Sequence, residues 1–98
     1  GPWIVTPQGL AEAGLDVENL RVRGSVNGVT KQDDSTALMI NSVRELISFV
    51  SHAFTLLPGD VILTGTPAGV SQLSDGDVVD VEIEGIGKLS NPVVGPVF

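Results

Sequence analysis

The chain has 98 residues, with twelve acidic and five basic side chains, a net charge of −7 at pH 7, and no cysteine. This length permits one domain with a modest core, since a chain of this size buries roughly two-thirds of its surface. Disulfide and thiol chemistry are excluded, and the cations Arg21, Arg23, Lys31, Arg44 and Lys88 are too dispersed to make a basic footprint for nucleic acid or an anionic membrane surface. The apolar fraction of 42%, rich in Val, Ile and Leu, argues against disorder. No apolar run approaches the ~20 residues of a membrane span. The N-terminus lacks a basic region followed by an apolar stretch. The expectation is a cytoplasmic protein that binds neither nucleic acid nor membrane.

In chain order, Trp3-Ile4-Val5-Thr6 is predicted as a short strand ended by Pro7, with Trp3 anchoring the core. Gln8 to Asn19 is rich in Gly and acids, and Leu10–Ala13 could make one helical turn stopped by Gly14. From Leu20 to Val26, Leu20, Val22, Gly24 and Val26 alternate with Arg21, Arg23 and Ser25, the period of a half-buried strand. Asn27-Gly28 is a strong hairpin signal, returning through a strand at Val29–Gln32. Asp33-Asp34-Ser35-Thr36 reads as a polar loop. Ser42 and Glu45 fit a capping box, which starts a helix over about 42–53 whose face carries Val43, Leu46, Ile47 and Val50, with Phe54 beyond it.

After the turn Pro58-Gly59-Asp60, Val61 to Thr64 is predicted as a short strand. Leu73–Asp77 is a turn before a strand over Val78–Glu84, with Val79, Val81 and Ile83 inward and Asp80, Glu82 and Glu84 toward water. Ile86–Leu89 makes a last short strand or turn. Many short strands with one main helix indicate a β-rich α+β fold, and no repeat or low-complexity tract interrupts it.

The segment richest in chemical meaning is Thr64-Gly65-Thr66-Pro67-Ala68-Gly69. Its glycines permit close ligand approach, its proline fixes φ, and its threonines and free N–H groups suit an anion such as a carboxylate. On chemistry alone, an ordinary strand-ending turn is the commoner meaning of such punctuation. Other polar residues carry plainer readings. His52 suits the C-terminal end of a helix dipole. Asp33 and Asp34 point apart in extended chain, so loop capping is preferred over metal binding. Asp80, Glu82 and Glu84 form a solvated strand face.

Pro58–Val70 resembles the signature segment of the fumarylacetoacetate hydrolase family. Further pieces match in the same order: Gly1–Thr6, Val26-Asn27-Gly28 with Lys31–Thr36, Ser42–Ile47, Gly76–Gly87 and Leu89–Val93. Gln8–Val17 fits least. The resemblance implies a mixed β-roll of the family's C-terminal type with one main helix. It implies an enzyme acting on 2-oxo or 2-hydroxy carboxylates, similar to acylpyruvate hydrolases, oxaloacetate decarboxylases or hydroxymuconate-type isomerases. A Mg²⁺ or Mn²⁺ ion would act there as a Lewis acid on the substrate.

The family's metal ligands, a Glu-x-Glu pair and an Asp, lie upstream of its Gly-Pro-Trp segment, as does an active-site lysine. Glu82-Ile83-Glu84 stands in the wrong context for that role, so no metal ligand and no catalytic residue is expected on this chain. The expectation is a single domain over 1–98, a C-terminal fragment of a longer catalytic domain, assembled as a homodimer or higher homo-oligomer. The residues implied to bind the 2-oxo acid are Thr66, which would contact its carboxylate or keto oxygen, with Thr64, Gly65 and Pro67. The rival reading is a non-catalytic fragment or a binding and oligomerisation module.

Overall fold

Asn27 and Gly28 adopt φ of 50° and 79°, the positive angles that a type I′ turn demands, and the sheet is organised around the hairpin they make. The structure is a computed structural model and describes residues 1–96. Strand β1 (Arg21–Val26) pairs antiparallel with β2 (Val29–Ser35). Its other edge pairs antiparallel with β3 (Val78–Ile83), which pairs in turn with β4 (Gly87–Pro92). The order is β2-β1-β3-β4, and every pairing among the described residues is antiparallel. With one main helix, α2 (Val43–Ala53), the fold is the β-rich α+β class.

Register explains the two faces of the sheet. Val22, Gly24 and Val26 lie beside Ile83, Val81 and Val79, so the alternating apolar positions of both strands share one face. The opposite face is charged. Arg21 forms a bidentate pair with Asp33, at 2.7 and 2.6 Å. Arg23 lies 3.7 Å from Asp33 and 3.8 Å from Glu82, and Lys88 is 2.8 Å from Asp80. These cross-strand pairs correct one expectation. Asp33, Asp34 and Ser35 belong to β2 and not to a loop, because Arg21 and Arg23 stand across the ladder from Ser35 and Asp33.

The N-terminal segment also differs from its expected form. Trp3–Thr6 is not a strand. Thr6 instead caps α1 (Pro7–Glu12), its side chain accepting from the Gly9 N–H, with Pro7 at the first helical position. Trp3 is 54% exposed and is not a core anchor. Its indole N–H donates to the Ile86 carbonyl. A Cβ at Gly87 would collide with its ring. A Cβ at Gly85 would likewise collide with Leu15 and touch Leu10, so the N-terminal segment lies over the β3–β4 turn. The buried apolar side chains among the described residues are Leu10 and Leu20.

Helix α2 is held at its start by two carboxylates. Ser42 and Glu45 form the reciprocal capping box. Glu18 accepts from the N–H groups of Val43 and Arg44. All four orphan donors of a helix start need such partners. None of the α2 residues is buried, and in the expected apolar stripe Ile47 and Phe54 are exposed. Val61–Thr64 is not a strand either. A strand exists through its pairing, and no described segment pairs with this one; Val61 and Leu63 are 79% and 92% exposed. No helix among the described residues is long and apolar enough to cross a membrane.

Candidate functional site

Strand β2 carries Gln32 on the same face as Val22 and Gly24, with Gln32 directly across the ladder from Gly24. Gly24 is buried, and a Cβ there would lie 2.9 Å from the Gln32 side-chain oxygen. The missing side chain therefore leaves the space in which Gln32 lies over the sheet. From that position the Gln32 amide reaches the 64–69 loop. Its Nε2 donates to the Thr66 hydroxyl oxygen and to the Pro67 carbonyl, each at 2.7 Å. A second contact fastens the same loop to β2. Gly69 has φ of 108°, and a Cβ there would collide with the Lys31 carbonyl oxygen. Only glycine allows both that angle and that approach.

A cavity of about 270 Å³ opens between the loop and the sheet, lined by Gly24, Gln32, Thr66, Gly69, Val79 and Val81 among others. Of the four loop residues singled out in the sequence, Thr66 borders this cavity, while Thr64, Gly65 and Pro67 are not among its lining residues. Thr64, Gly65 and Thr66 are exposed and Pro67 is half-buried. Gln32 was missed in the sequence reading. The signal available was a polar residue at an inward position of a strand, opposite a glycine.

A larger cavity, about 580 Å³, lies elsewhere and is lined by Asp16, Arg21, Asp33, Asp34 and Glu84 among others. It suits a carboxylate poorly. Its one lining cation, Arg21, is already bound by Asp33, whose hydrogen bond raises the Arg21 pKa further and holds the Asp33 carboxyl below its usual range. His52 stays within its own helix, its Nδ1 2.7 Å from the Ser48 carbonyl. Among the described residues, no group of three or more His, Cys, Asp or Glu side chains could hold a metal ion. The residues present do not fit a divalent-metal centre.

The family profile described as fumarylacetoacetate (FAA) hydrolase C-terminal matches residues 1–94. The chain belongs to the fumarylacetoacetate hydrolase family. Among similar proteins, the 4-hydroxyphenylacetate degradation bifunctional isomerase/decarboxylase of Salmonella dublin is 48% identical over 94 residues, covering 96% of this chain and 21% of that protein. The crystal structure of a 5-carboxymethyl-2-hydroxymuconate delta-isomerase from Mycobacterium smegmatis superposes with a TM-score of 0.84 at 48% identity, covering 96% of this chain and 35% of that one. A maleylpyruvate hydrolase from Sphingobium sp. SYK-6, in complex with manganese(II) and pyruvate, gives 0.89 at 34% identity, covering 96% and 34%. The chain spans 34%, 21% and 33% of the lengths of three curated relatives. Within the fumarylacetoacetate hydrolase family, it corresponds to about a third or less of those proteins.

Proposed function

We propose that this chain supplies the substrate-side wall of a divalent-metal-dependent enzyme acting on 2-oxo or 2-hydroxy carboxylates. The reaction class is C–C bond hydrolysis of an acylpyruvate, decarboxylation of oxaloacetate, or keto–enol isomerisation. The observation that carries the reading is the Thr66 loop, held by β2 at the mouth of a cavity in a chain of the fumarylacetoacetate hydrolase family. Thr66, Thr64, Gly65 and Pro67 are assigned to the substrate. The Thr66 hydroxyl donates to an oxygen of the 2-oxo acid, and fixed donors aimed at a developing oxyanion are the usual source of such stabilisation.

The metal is assigned as Mg²⁺ or Mn²⁺, held by residues upstream of this chain, which makes the 98 residues the C-terminal part of a catalytic domain. Support comes from the hydrolase relative, whose structure holds manganese(II) and pyruvate, and from the lack of a metal-holding cluster among the described residues. A cytoplasmic homodimer or higher homo-oligomer completes the proposal.

The test is turnover of acylpyruvates, oxaloacetate and hydroxymuconates by the whole protein that carries this chain, with Mg²⁺ or Mn²⁺ and after chelation. Turnover of one class, lost on chelation and restored by metal, is expected. Absence of turnover with a fully metal-loaded protein would overturn the enzyme reading. For the 98 residues alone, the missing acid cluster favours a non-catalytic module. They are expected to bind Mg²⁺ weakly, since a hard cation needs several oxygen ligands, and robust turnover by the purified chain would contradict this.

A further inference from the structure

We infer that Gln32 is a positioning residue that turns the Thr66 hydroxyl into an outward hydrogen-bond donor. The inference rests on the proposal that the Thr66 loop holds the substrate. The orientation of the Gln32 amide follows from its partners. The Pro67 carbonyl can only accept, so the atom 2.7 Å from it must be the amide nitrogen. The same nitrogen lies 2.7 Å from the Thr66 hydroxyl oxygen. A threonine hydroxyl has one proton to give and two lone pairs to receive with. Because one lone pair already receives the amide N–H, the hydroxyl proton cannot point at Gln32. It is left for an acceptor on the exposed side of Thr66. The ligand chemistry that can take this free proton is an oxygen that accepts, as a carboxylate or a 2-oxo group does.

The surroundings are shaped for this contact. Gly24 provides the space under Gln32, and Gly69 lets the loop backbone close onto β2 at Lys31. One amide thus fixes both a side chain and a backbone carbonyl of adjacent loop residues. Gln32 is separated from them by 34 and 35 positions in sequence, so the contact exists only once β2 and the loop have come together.

The test is a double-mutant cycle on the whole protein, pairing Gln32→Met, which keeps length and loses both donors, with Thr66→Val, which keeps shape and loses the hydroxyl. The readouts are kcat/KM for the 2-oxo acid, the inhibition constant of pyruvate, and Tm. Gln32→Met is expected to lower kcat/KM about tenfold while Thr66 is present, and by less than about twofold in the Thr66→Val background, because residues acting through one contact are not additive. Gln32→Glu is expected to be more damaging than Gln32→Met at neutral pH. Its carboxylate would face the Pro67 carbonyl and take the Thr66 proton for itself.

Equal losses from Gln32→Met in both backgrounds, or no loss in either, would overturn the inference while leaving Thr66 as a substrate contact. If Thr66→Val changes neither kcat/KM nor pyruvate inhibition, the substrate reading of the loop falls, and the role of Gln32 falls with it. Should Gln32→Met lower Tm sharply, the Gln32→Glu comparison at matched folded fraction decides: loss no greater than that of Gln32→Met would also overturn the inference.

Discussion

The sheet with its N-terminal cover and the segment from Ser42 to Leu73 are built on different principles. In the first, order comes from partners distant in sequence. Four strands pair in register, Leu10 and Leu20 are buried, and Trp3 and Leu15 lie against the β3–β4 turn. In the second, the helix follows local signals, and a few polar contacts from Glu18 and Gln32 tie the segment to the rest. Helix α2 is specified by its capping box and by Glu18, yet none of its residues is fully buried and Val43, Leu46 and Val50 are only half-buried. Ile47, Phe49, Phe54, Leu57, Val61, Leu63 and Val70 are all exposed. Local chemistry can start and stop a helix, but covering an apolar stripe needs a second surface. Apolar side chains left open to solvent in this way favour association.

The largest expected effect separates the two regions directly. Leu20→Ala should destabilise the chain by about 2–5 kcal/mol, the usual range for emptying a buried leucine site. Phe49→Ala, measured at a dilution where the chain is monomeric, should change stability by less than about 0.5 kcal/mol, as an exposed substitution does. Chemical denaturation of both variants checks this. A Phe49→Ala loss comparable to that of Leu20→Ala would show that another segment already covers α2. In line with that surface, the isolated chain is expected to associate, and a single monomer species by light scattering across a wide concentration range would contradict it.

Gly69→Ala joins the regions and comes next. It places a Cβ against the Lys31 carbonyl at a φ unsuited to alanine, so it should cost on the order of 1–3 kcal/mol and displace the Thr66 loop. Tm and kcat/KM should fall together, and retention of both would show that the loop is not fastened there. Ser42→Ala should cost about 1 kcal/mol of stability, confined to α2, where amide exchange would rise while the sheet stays protected.

The smallest effects are those of pH. Asp33 is held below the ordinary carboxylate range by the Arg21 hydrogen bond, and Asp80 by those of Lys88 and Ser90. Glu45 is lowered in the same way by the Ser42 backbone N–H. A carboxyl group with a depressed folded pKa contributes stability that is complete above its ordinary range and is lost as pH falls through the depressed value. Stability should therefore be level near neutrality and decline only in acid, below about pH 4. The decline should be shallow for Asp33 and Glu45, which solvent screens, and steeper for Asp80, whose side chain is 16% exposed. A stability maximum in acid would contradict these pairings.

The parts of this molecule legible in its sequence are those governed by near neighbours. Asn27-Gly28 announced its turn, Ser42 and Glu45 announced α2, and the alternation of Val22, Gly24 and Val26 announced the inner face of β1. Failures occurred where a distant partner decides. Asp33 and Asp34 read as loop residues because their cross-strand partners, Arg23 and Val22, are not given by spacing. Val61-Ile62-Leu63 read as a strand from its residue types, but pairing makes a strand and none is present among the described residues. Trp3-Ile4-Val5 read as a strand for the same reason, while Thr6 and Pro7 carried an unheeded helix-start signal. At the candidate site, composition drew attention to Thr64–Gly69. Its support by Gln32 could not be read from spacing, since it depends on the Gly24 register and on the fold of the intervening chain.

The most direct measurement is a crystal structure of the whole protein with Mn²⁺ and pyruvate bound. The account predicts a pyruvate oxygen within about 3.2 Å of the Thr66 hydroxyl, with Gln32 still donating to the other side of that oxygen and to the Pro67 carbonyl. An ordered pyruvate with no hydrogen bond to any of Thr64–Pro67 would contradict it.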